Sequence, residues 1–111
     1  MPEFPATTTP SGVVVMRPEG RLNMTVAAPL RQKLVDLIGN GYNRIVLDLT
    51  DVDAIDSAAL GAIMGGLRKA REAGGDLRIV APSTEVGAVL ELTNLDRVLP
   101  AYPSAATAFV E

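Results

Sequence analysis

Short apolar runs alternate along this chain with longer segments in which apolar residues recur every three or four positions, and this alternation most constrains the fold. The runs at 13–16, 44–49 and 77–81 are rich in Val, Ile and Leu, as expected of strands. The run at 44–49 is nearly continuous, which is typical of a strand covered on both faces. Strands that alternate with helices favour parallel pairing through right-handed crossovers, so the pattern predicts an α/β fold.

The segments between and after these strands have the apolar spacing and capping residues of helices. The predicted helices are Thr25–Ile38, Ser57–Ala73, a helix that begins at Ser83 or Thr84, and Pro103–Val110. A short last strand is predicted at 97–99, and an acidic loop at 50–56. The expected architecture is one domain over residues 12–111, with a mainly parallel or mixed sheet of about four or five strands and about four helices. Residues 1–11 contain three prolines and three threonines and are expected to form a flexible arm.

Neither Cys nor His occurs in the sequence, and their absence excludes several kinds of chemistry. Without Cys there are no disulfides or thiolate nucleophiles, and without His there is no Ser-His-Asp or Cys-His catalysis. A net charge of −3 disfavours a module that neutralises nucleic-acid phosphates. The first ten residues lack the basic region and apolar core of a signal peptide, and no apolar run approaches the roughly 18–20 residues of a membrane span. We therefore expect a cytoplasmic protein that is not an enzyme and binds neither nucleic acid nor membrane.

The segment 48–57 carries four aspartates and no basic residue, at the carboxyl end of a predicted strand where ligands and partners usually bind. The spacing Asp51-x-Asp53 resembles the start of a calcium loop, but Ile55 occupies the next ligand position and no glycine turn follows. A receiver-type phospho-aspartate domain needs an acidic pair after its first strand to hold magnesium, and only Glu19 is available there. Neither a metal site nor a receiver domain is favoured, and no cofactor is expected.

Ser57 opens a predicted helix directly after the aspartates. A phosphate on this serine would gain from the free N–H groups and the dipole of the helix N-terminus. It would add about −1.5 to −2 charges beside Asp53 and Asp56 and so repel a docked partner. The simpler role is that Ser57 or Asp56 serves only as an N-cap, which is worth about 1 kcal/mol. Residue chemistry alone favours the capping role and leaves the phosphoacceptor role open.

The helix that follows Ser57 is unusually rich in small residues outside its apolar stripe. These residues are Ala58, Ala59, Gly61, Ala62, Gly65 and Gly66. A glycine inside a helix costs roughly 0.8–1.0 kcal/mol relative to alanine, so three glycines require an explanation. They could form a flat face that a partner approaches closely, or they could allow close packing against the protein's own sheet. The sequence leaves both explanations open.

Four segments of the chain carry a resemblance to a known family: Gly20-Arg21-Leu22-Asn23, Ile45-Val46-Leu47-Asp48-Leu49, Ile55-Asp56-Ser57-Ala58-Ala59-Leu60-Gly61 and Gly74-Gly75-Asp76-Leu77. In this order and spacing they resemble the STAS domain family, and within it the bacterial anti-sigma factor antagonists (anti-anti-sigma factors). The resemblance covers about residues 13–110, and the Asp-Ser-x-x-Leu-Gly core after an Ile/Val-rich strand is its most specific part.

The resemblance implies a partner-switching mechanism. In this family the unphosphorylated antagonist binds an anti-sigma factor that is also a serine kinase, and a sigma factor is freed. The kinase uses ATP to phosphorylate the serine that matches Ser57, which breaks the complex, and a serine phosphatase reverses the modification. The implied partner-binding residues are Asn23, Met24, Asp53, Asp56, Ala58, Gly61, Ala62 and Gly65. The alternative within the family is a STAS scaffold or transporter-accessory subunit in which Ser57 stays unmodified.

The sequence departs from the family pattern at two places. Many members have an aspartate where this chain has Asn23, which keeps hydrogen-bonding capacity but removes a charge. The family often has Ser-Gly or similar residues directly after the acceptor, whereas Ala58 and Ala59 follow here. Neither change removes the acceptor hydroxyl, but each bears on which partner is recognised.

Overall fold

The computed structural model describes residues 4–80 and 82–109 of the chain. Within this part, the elements follow in the order β1 (Ala6–Thr8), β2 (Val14–Met16), β3 (Gly20–Leu22), α1 (Met24–Gly39), β4 (Arg44–Asp48), β5 (Val52–Ile55), α2 (Ser57–Glu72), β6 (Asp76–Val80), α3 (Thr84–Leu92), a 3-10 turn (Leu95–Arg97), β7 (Ala101–Tyr102) and α4 (Ala105–Ala108). The α/β class and the four helices are confirmed. None of the helices described is both long enough and apolar enough to cross a bilayer.

The strands form a five-stranded sheet in the order β1-β2-β4-β6-β7 and a separate two-stranded sheet of β3 and β5. In the larger sheet β2, β4, β6 and β7 are parallel, and β1 pairs with β2 in the antiparallel direction. The strand β4 lies at the centre, and its residues Ile45, Val46 and Leu47 are all 0% exposed. The nearly continuous apolar run therefore gives a strand covered on both faces, as predicted.

The two faces of the larger sheet are covered unequally. Because successive side chains of a strand point to opposite faces, Ile45 and Leu47 belong to one apolar cluster and Val46 to another. The larger cluster includes the buried residues of α1 and α2, the two longest helices, which pack side by side. The smaller cluster is closed by Ala108 of α4. Helices α1 and α2 thus lie together against the large core, with their N-terminal ends near the short β3–β5 sheet.

Three strand predictions were wrong in detail. The sequence missed β1, which lies in the segment predicted as a flexible arm. Its three exposed residues are held by pairing with β2 and leave no apolar pattern. The predicted loop 50–56 contains β5, which pairs in parallel with β3. The predicted strand at 97–99 is replaced by the 3-10 turn and by β7, because Leu99 is buried as a packing residue and not in a strand.

The predicted helices agree with the structure except at the C-terminal end. Helices α1 and α2 match Thr25–Ile38 and Ser57–Ala73 within a residue at each end, and α3 begins at Thr84 after the cap Ser83. The last helix is shorter than the predicted Pro103–Val110. Residues 1–3 of the predicted arm, Ala81 of the third predicted strand and residues 110–111 lie outside the described residues. Flexibility of the arm and the domain boundary at residue 12 stay predictions.

Candidate functional site

Ser57 is the first residue of α2, and its side chain is exposed. The helix begins here because Asp56 is extended, with φ −112° and ψ 178°, and its Oδ1 accepts a hydrogen bond from the Ala59 N–H at 2.9 Å. The capping role, which the sequence assigned to either Ser57 or Asp56, therefore belongs to Asp56. The Ser57 hydroxyl takes part in none of the hydrogen bonds among the described residues, and it is open to solvent and to a partner.

The first turn of α2 retains donors that Asp56 does not satisfy. The Asp56 carboxylate satisfies the Ala59 N–H, and the Asp56 carbonyl accepts from the Leu60 N–H at 3.0 Å. The N–H groups of Ser57 and Ala58 have no acceptor in the part of the chain that the structure describes. An anion on the Ser57 side chain would therefore lie next to unpaired donors at the positive end of a helix dipole.

Asp56 also joins the two long helices. Its Oδ2 accepts a hydrogen bond from the N–H of Met24, the first residue of α1, at 2.9 Å. Its own N–H donates to the carbonyl of Leu22 at 3.0 Å, just beyond the β3–β5 pairing. One half-buried carboxylate therefore accepts from the first turn of α1 and from the first turn of α2.

Asn23 is the N-cap of α1. Its Oδ1 accepts hydrogen bonds from the Thr25 N–H, at 3.0 Å, and from the Thr25 hydroxyl. Asparagine and aspartate are comparable N-caps, so the departure from the family's usual aspartate preserves the start of α1 while removing one negative charge. The next side chain, Met24, is 75% exposed. An exposed methionine thus lies beside the junction of the two helices.

The aspartates of segment 48–57 are spread apart. Asp48 forms an ion pair with Arg17, with 3.1 Å between Oδ2 and Nε. Asp53 is exposed on β5, between the buried Val52 and Ile55, and Asp51 is exposed just before that strand. Within the described residues, no three carboxylate, histidine or cysteine side chains come together in a way that could hold a metal ion.

Some of the small residues of α2 face inward. A Cβ built on Gly66 would lie 2.6 Å from Cδ1 of Leu34 in α1, and Ala59 is 0% exposed. Gly66 is small because α1 and α2 approach closely there, and Ala59 is packed in the large apolar cluster. The packing explanation therefore holds for both residues. The sequence suggested that the protein's own sheet is the neighbour, whereas Gly66 packs against α1.

The other small residues form one wall of an open groove between α1 and α2. This groove, which we call the helix groove, has a volume of about 440 Å³ and is lined by Ala27, Ala28, Arg31, Ala58, Gly61 and Ala62. Ala58 and Gly61 are exposed, whereas Ala62 is only 5% exposed and forms the floor. Gly65 lies further along α2, 4.0 Å from Nε of Arg31 measured from a built Cβ.

The structure brings most of the predicted site residues into one region. Ser57, Asp56, Asn23 and Met24 lie at the junction of the two helix N-termini, and Ala58 leads from it into the helix groove. The sequence missed the α1 side of the groove, formed by Ala27, Ala28 and Arg31. Their position depends on the packing of α1 against α2, and no local pattern in the sequence carries that information.

A family model and a curated relative identify the family of this chain. The family model described as STAS domain matches residues 4–108. A protein of Thermotoga maritima that is provisionally named an anti-sigma factor antagonist is 38% identical over 100 residues, which cover 89% of this chain and 88% of that protein.

Solved structures show the same fold. The crystal structure of an anti-sigma factor antagonist, also provisionally named, from Thermotoga maritima has a TM-score of 0.88 and 37% identity, and the match covers 95% of this chain and 90% of that one. The phosphorylated form of the Bacillus cell fate determinant SpoIIAA has a TM-score of 0.73 and 20% identity, with 94% and 95% of the two chains covered. At this lower identity the second likeness concerns the fold alone.

Proposed function

Because the chain belongs to the STAS domain family, we propose that it is an anti-sigma factor antagonist controlled by phosphorylation. In this proposal the unphosphorylated form binds an anti-sigma factor that is also a serine kinase, which frees a sigma factor. The kinase then uses its own ATP to phosphorylate Ser57, the complex breaks, and a serine phosphatase restores the binding form. The chain acts by binding and needs no cofactor or catalytic group of its own.

The observation that carries the proposal is the state of the Ser57 side chain. The hydroxyl is exposed at the start of α2 and is not used for capping, because Asp56 supplies the cap. A kinase can therefore phosphorylate this hydroxyl without removing the N-cap of α2. The phosphorylated relative SpoIIAA supports the same proposal, since a STAS-like fold is known in a phosphorylated form.

Charge explains why the modification would release a partner. A phosphate adds about −1.5 to −2 charges at neutral pH. The unpaired N–H groups of Ser57 and Ala58 can donate hydrogen bonds to the phosphate, so the fold tolerates the added charge. The phosphate would be carried by the residue directly after Asp56, and with the exposed Asp53 on β5 it would make this end of the molecule strongly acidic. A partner that matches a neutral hydroxyl would be repelled and sterically blocked.

The proposed partner surface extends from the helix junction into the helix groove. Met24 offers an exposed apolar side chain, and Ala58 and Gly61 allow the backbone of a partner to approach α2 closely. Methionine is enriched in the buried cores of protein–protein interfaces, so Met24 suits a contact of this kind. Four further residues belong to this surface. Asn23 caps α1 beside Met24, and Asp53 adds a charge at the rim. Ala62 forms the floor of the helix groove, and Gly65 lies at its far end.

Affinity purification from the native cell tests the proposal, with wild type compared with Ser57→Asp. The matched control is Thr84→Asp, because Thr84 is also an exposed first residue of a helix whose cap is the preceding residue. We expect wild type and Thr84→Asp to recover an ATP-binding kinase and Ser57→Asp to lose it. The recovered kinase should then phosphorylate wild type but not Ser57→Ala.

Equal recovery by all three proteins, and by chain carrying phosphoserine at position 57, would contradict the proposal. A STAS scaffold or transporter-accessory subunit, in which Ser57 is not modified, would then be the better description. Testing authentic phosphoserine matters because aspartate carries less charge than phosphate and fewer acceptor oxygens.

A further inference from the structure

We propose that Asp56 is a positioning residue that holds the first turn of α1 against the first turn of α2, so that Met24 and Ser57 form a single surface. The consequence for partner binding rests on the proposed function, whereas the positioning itself is a property of the chain alone. The sequence suggested that Asp56 caps α2 or sets the local charge at a partner-binding surface. The geometry adds a second role, in which the Asp56 carboxylate joins the two helices through hydrogen bonds.

The two carboxylate oxygens of Asp56 are used by different helices. Oδ1 accepts from the Ala59 N–H and Oδ2 from the Met24 N–H, each at 2.9 Å. Leu22 pairs with Ile55 in the β3–β5 sheet, and the Asp56 N–H donates to the Leu22 carbonyl. Pairing in the β3–β5 sheet therefore places Asp56 at the point where both helices begin.

No other group among the described residues replaces the hydrogen bond to Met24. The first N–H groups of an α-helix have no acceptor within the helix. Asn23 caps α1 through Thr25 and Val26, which leaves the Met24 N–H to Asp56. Because the Met24 side chain is 75% exposed, little packing fixes it, and its position depends on the backbone of this turn.

Replacement of Asp56 by Asn or Ser separates capping from bridging. Both residues are N-caps comparable to aspartate, so Asp56→Asn and Asp56→Ser should keep the hydrogen bond to Ala59. The serine offers one oxygen, and the asparagine would direct a donor at the Met24 N–H, so neither supplies both acceptors. Asp53→Asn is the matched control, since it removes the same charge from the neighbouring strand without touching either hydrogen bond.

Amide hydrogen exchange, measured by NMR on the ¹⁵N-labelled chain, tests the positioning directly. We expect the Met24 amide to exchange about tenfold faster or more in both Asp56 variants and to be unchanged in Asp53→Asn. Ala59 should keep its protection in all three. Unchanged protection of the Met24 amide in Asp56→Asn and Asp56→Ser would overturn the proposal. Two variants are used so that the test still stands if one of them folds poorly.

Calorimetric titration with the kinase recovered by wild type then tests the consequence for binding. We expect Asp56→Asn and Asp56→Ser to raise Kd by about tenfold at both low and high salt, because lost positioning is not screened. Any loss of affinity for the kinase in Asp53→Asn should disappear at high salt. If the loss of affinity in Asp56→Asn also disappears at high salt, Asp56 acts on the partner by charge and the proposal fails in its consequence for binding. If wild type binds no kinase, the proposed function fails while the exchange result still decides the positioning.

Discussion

Two glycines of the same helix, Gly61 and Gly66, should respond in opposite ways to replacement by alanine. Both lie inside α2, where a glycine costs roughly 0.8–1.0 kcal/mol relative to alanine. A Cβ built on Gly61 meets no atom within 4 Å, so Gly61→Ala should gain this helix propensity without a steric penalty. We expect the free energy of unfolding to rise by about 1 kcal/mol.

Gly66 has the same propensity but no room. A Cβ there would lie 2.6 Å from Cδ1 and 3.3 Å from Cβ of Leu34, whose side chain is 0% exposed. Overpacking of this kind typically costs about 1–3 kcal/mol, which matches or exceeds the gain in propensity. The expected net change for Gly66→Ala is a loss of about 0–2 kcal/mol, so the two variants should differ by about 1–3 kcal/mol.

Thermal and urea denaturation followed by circular dichroism measure the difference. A change of about 1 kcal/mol shifts Tm by roughly 4–8 °C in a domain of nearly this size. Gly61→Ala should melt above wild type and Gly66→Ala at or below it. Equal shifts in the same direction would refute the conclusion that the small residues of α2 serve two purposes. Gly61→Ala should also bind the recovered kinase more weakly, because its methyl group enters the helix groove.

Three further predictions concern other parts of the fold. Gly75→Ala should destabilise the chain by more than about 2 kcal/mol in urea denaturation, because its Cβ would overlap the backbone carbonyl of Asn43. Arg78→Lys should lower Tm by several degrees, because Arg78 donates to the Ala108 carbonyl at 2.6 Å and stacks on the Phe109 ring. Millimolar Mg²⁺ or Ca²⁺ should leave Tm unchanged, since the described carboxylates do not converge; a clear rise would indicate a metal site.

The sequence predicted those parts of the fold whose residues carry a burial pattern. The runs that became β2, β4 and β6 and the helices α1 and α2 all have apolar residues that face a core. Strands β1 and β5 were missed because the former is wholly exposed and the latter has two exposed residues at its centre. Their stability comes from backbone pairing with β2 and β3, and such pairing leaves no trace in hydrophobic periodicity.

The sequence predicted the position of Ser57 in the fold but not the contacts around it. Ser57 at the start of a helix followed from the sequence, yet serine and aspartate are both good caps, so only the extended backbone of Asp56 identifies the cap. The hydrogen bond from Met24 to Asp56 joins residues 32 positions apart. The helix groove likewise depends on how α1 meets α2. Both are tertiary features that local residue chemistry does not encode.

The most direct test of the phosphorylation switch uses the chain with phosphoserine incorporated at position 57 during synthesis, titrated with the recovered kinase. A chain with phosphoserine at position 84, at the matching place in α3, controls for added charge at a helix start. The account predicts that phosphoserine at 57 weakens binding by about 100-fold or more, about 3 kcal/mol, and that phosphoserine at 84 has little effect. Equal affinity of the kinase for the two phosphorylated chains and the unmodified chain would contradict it.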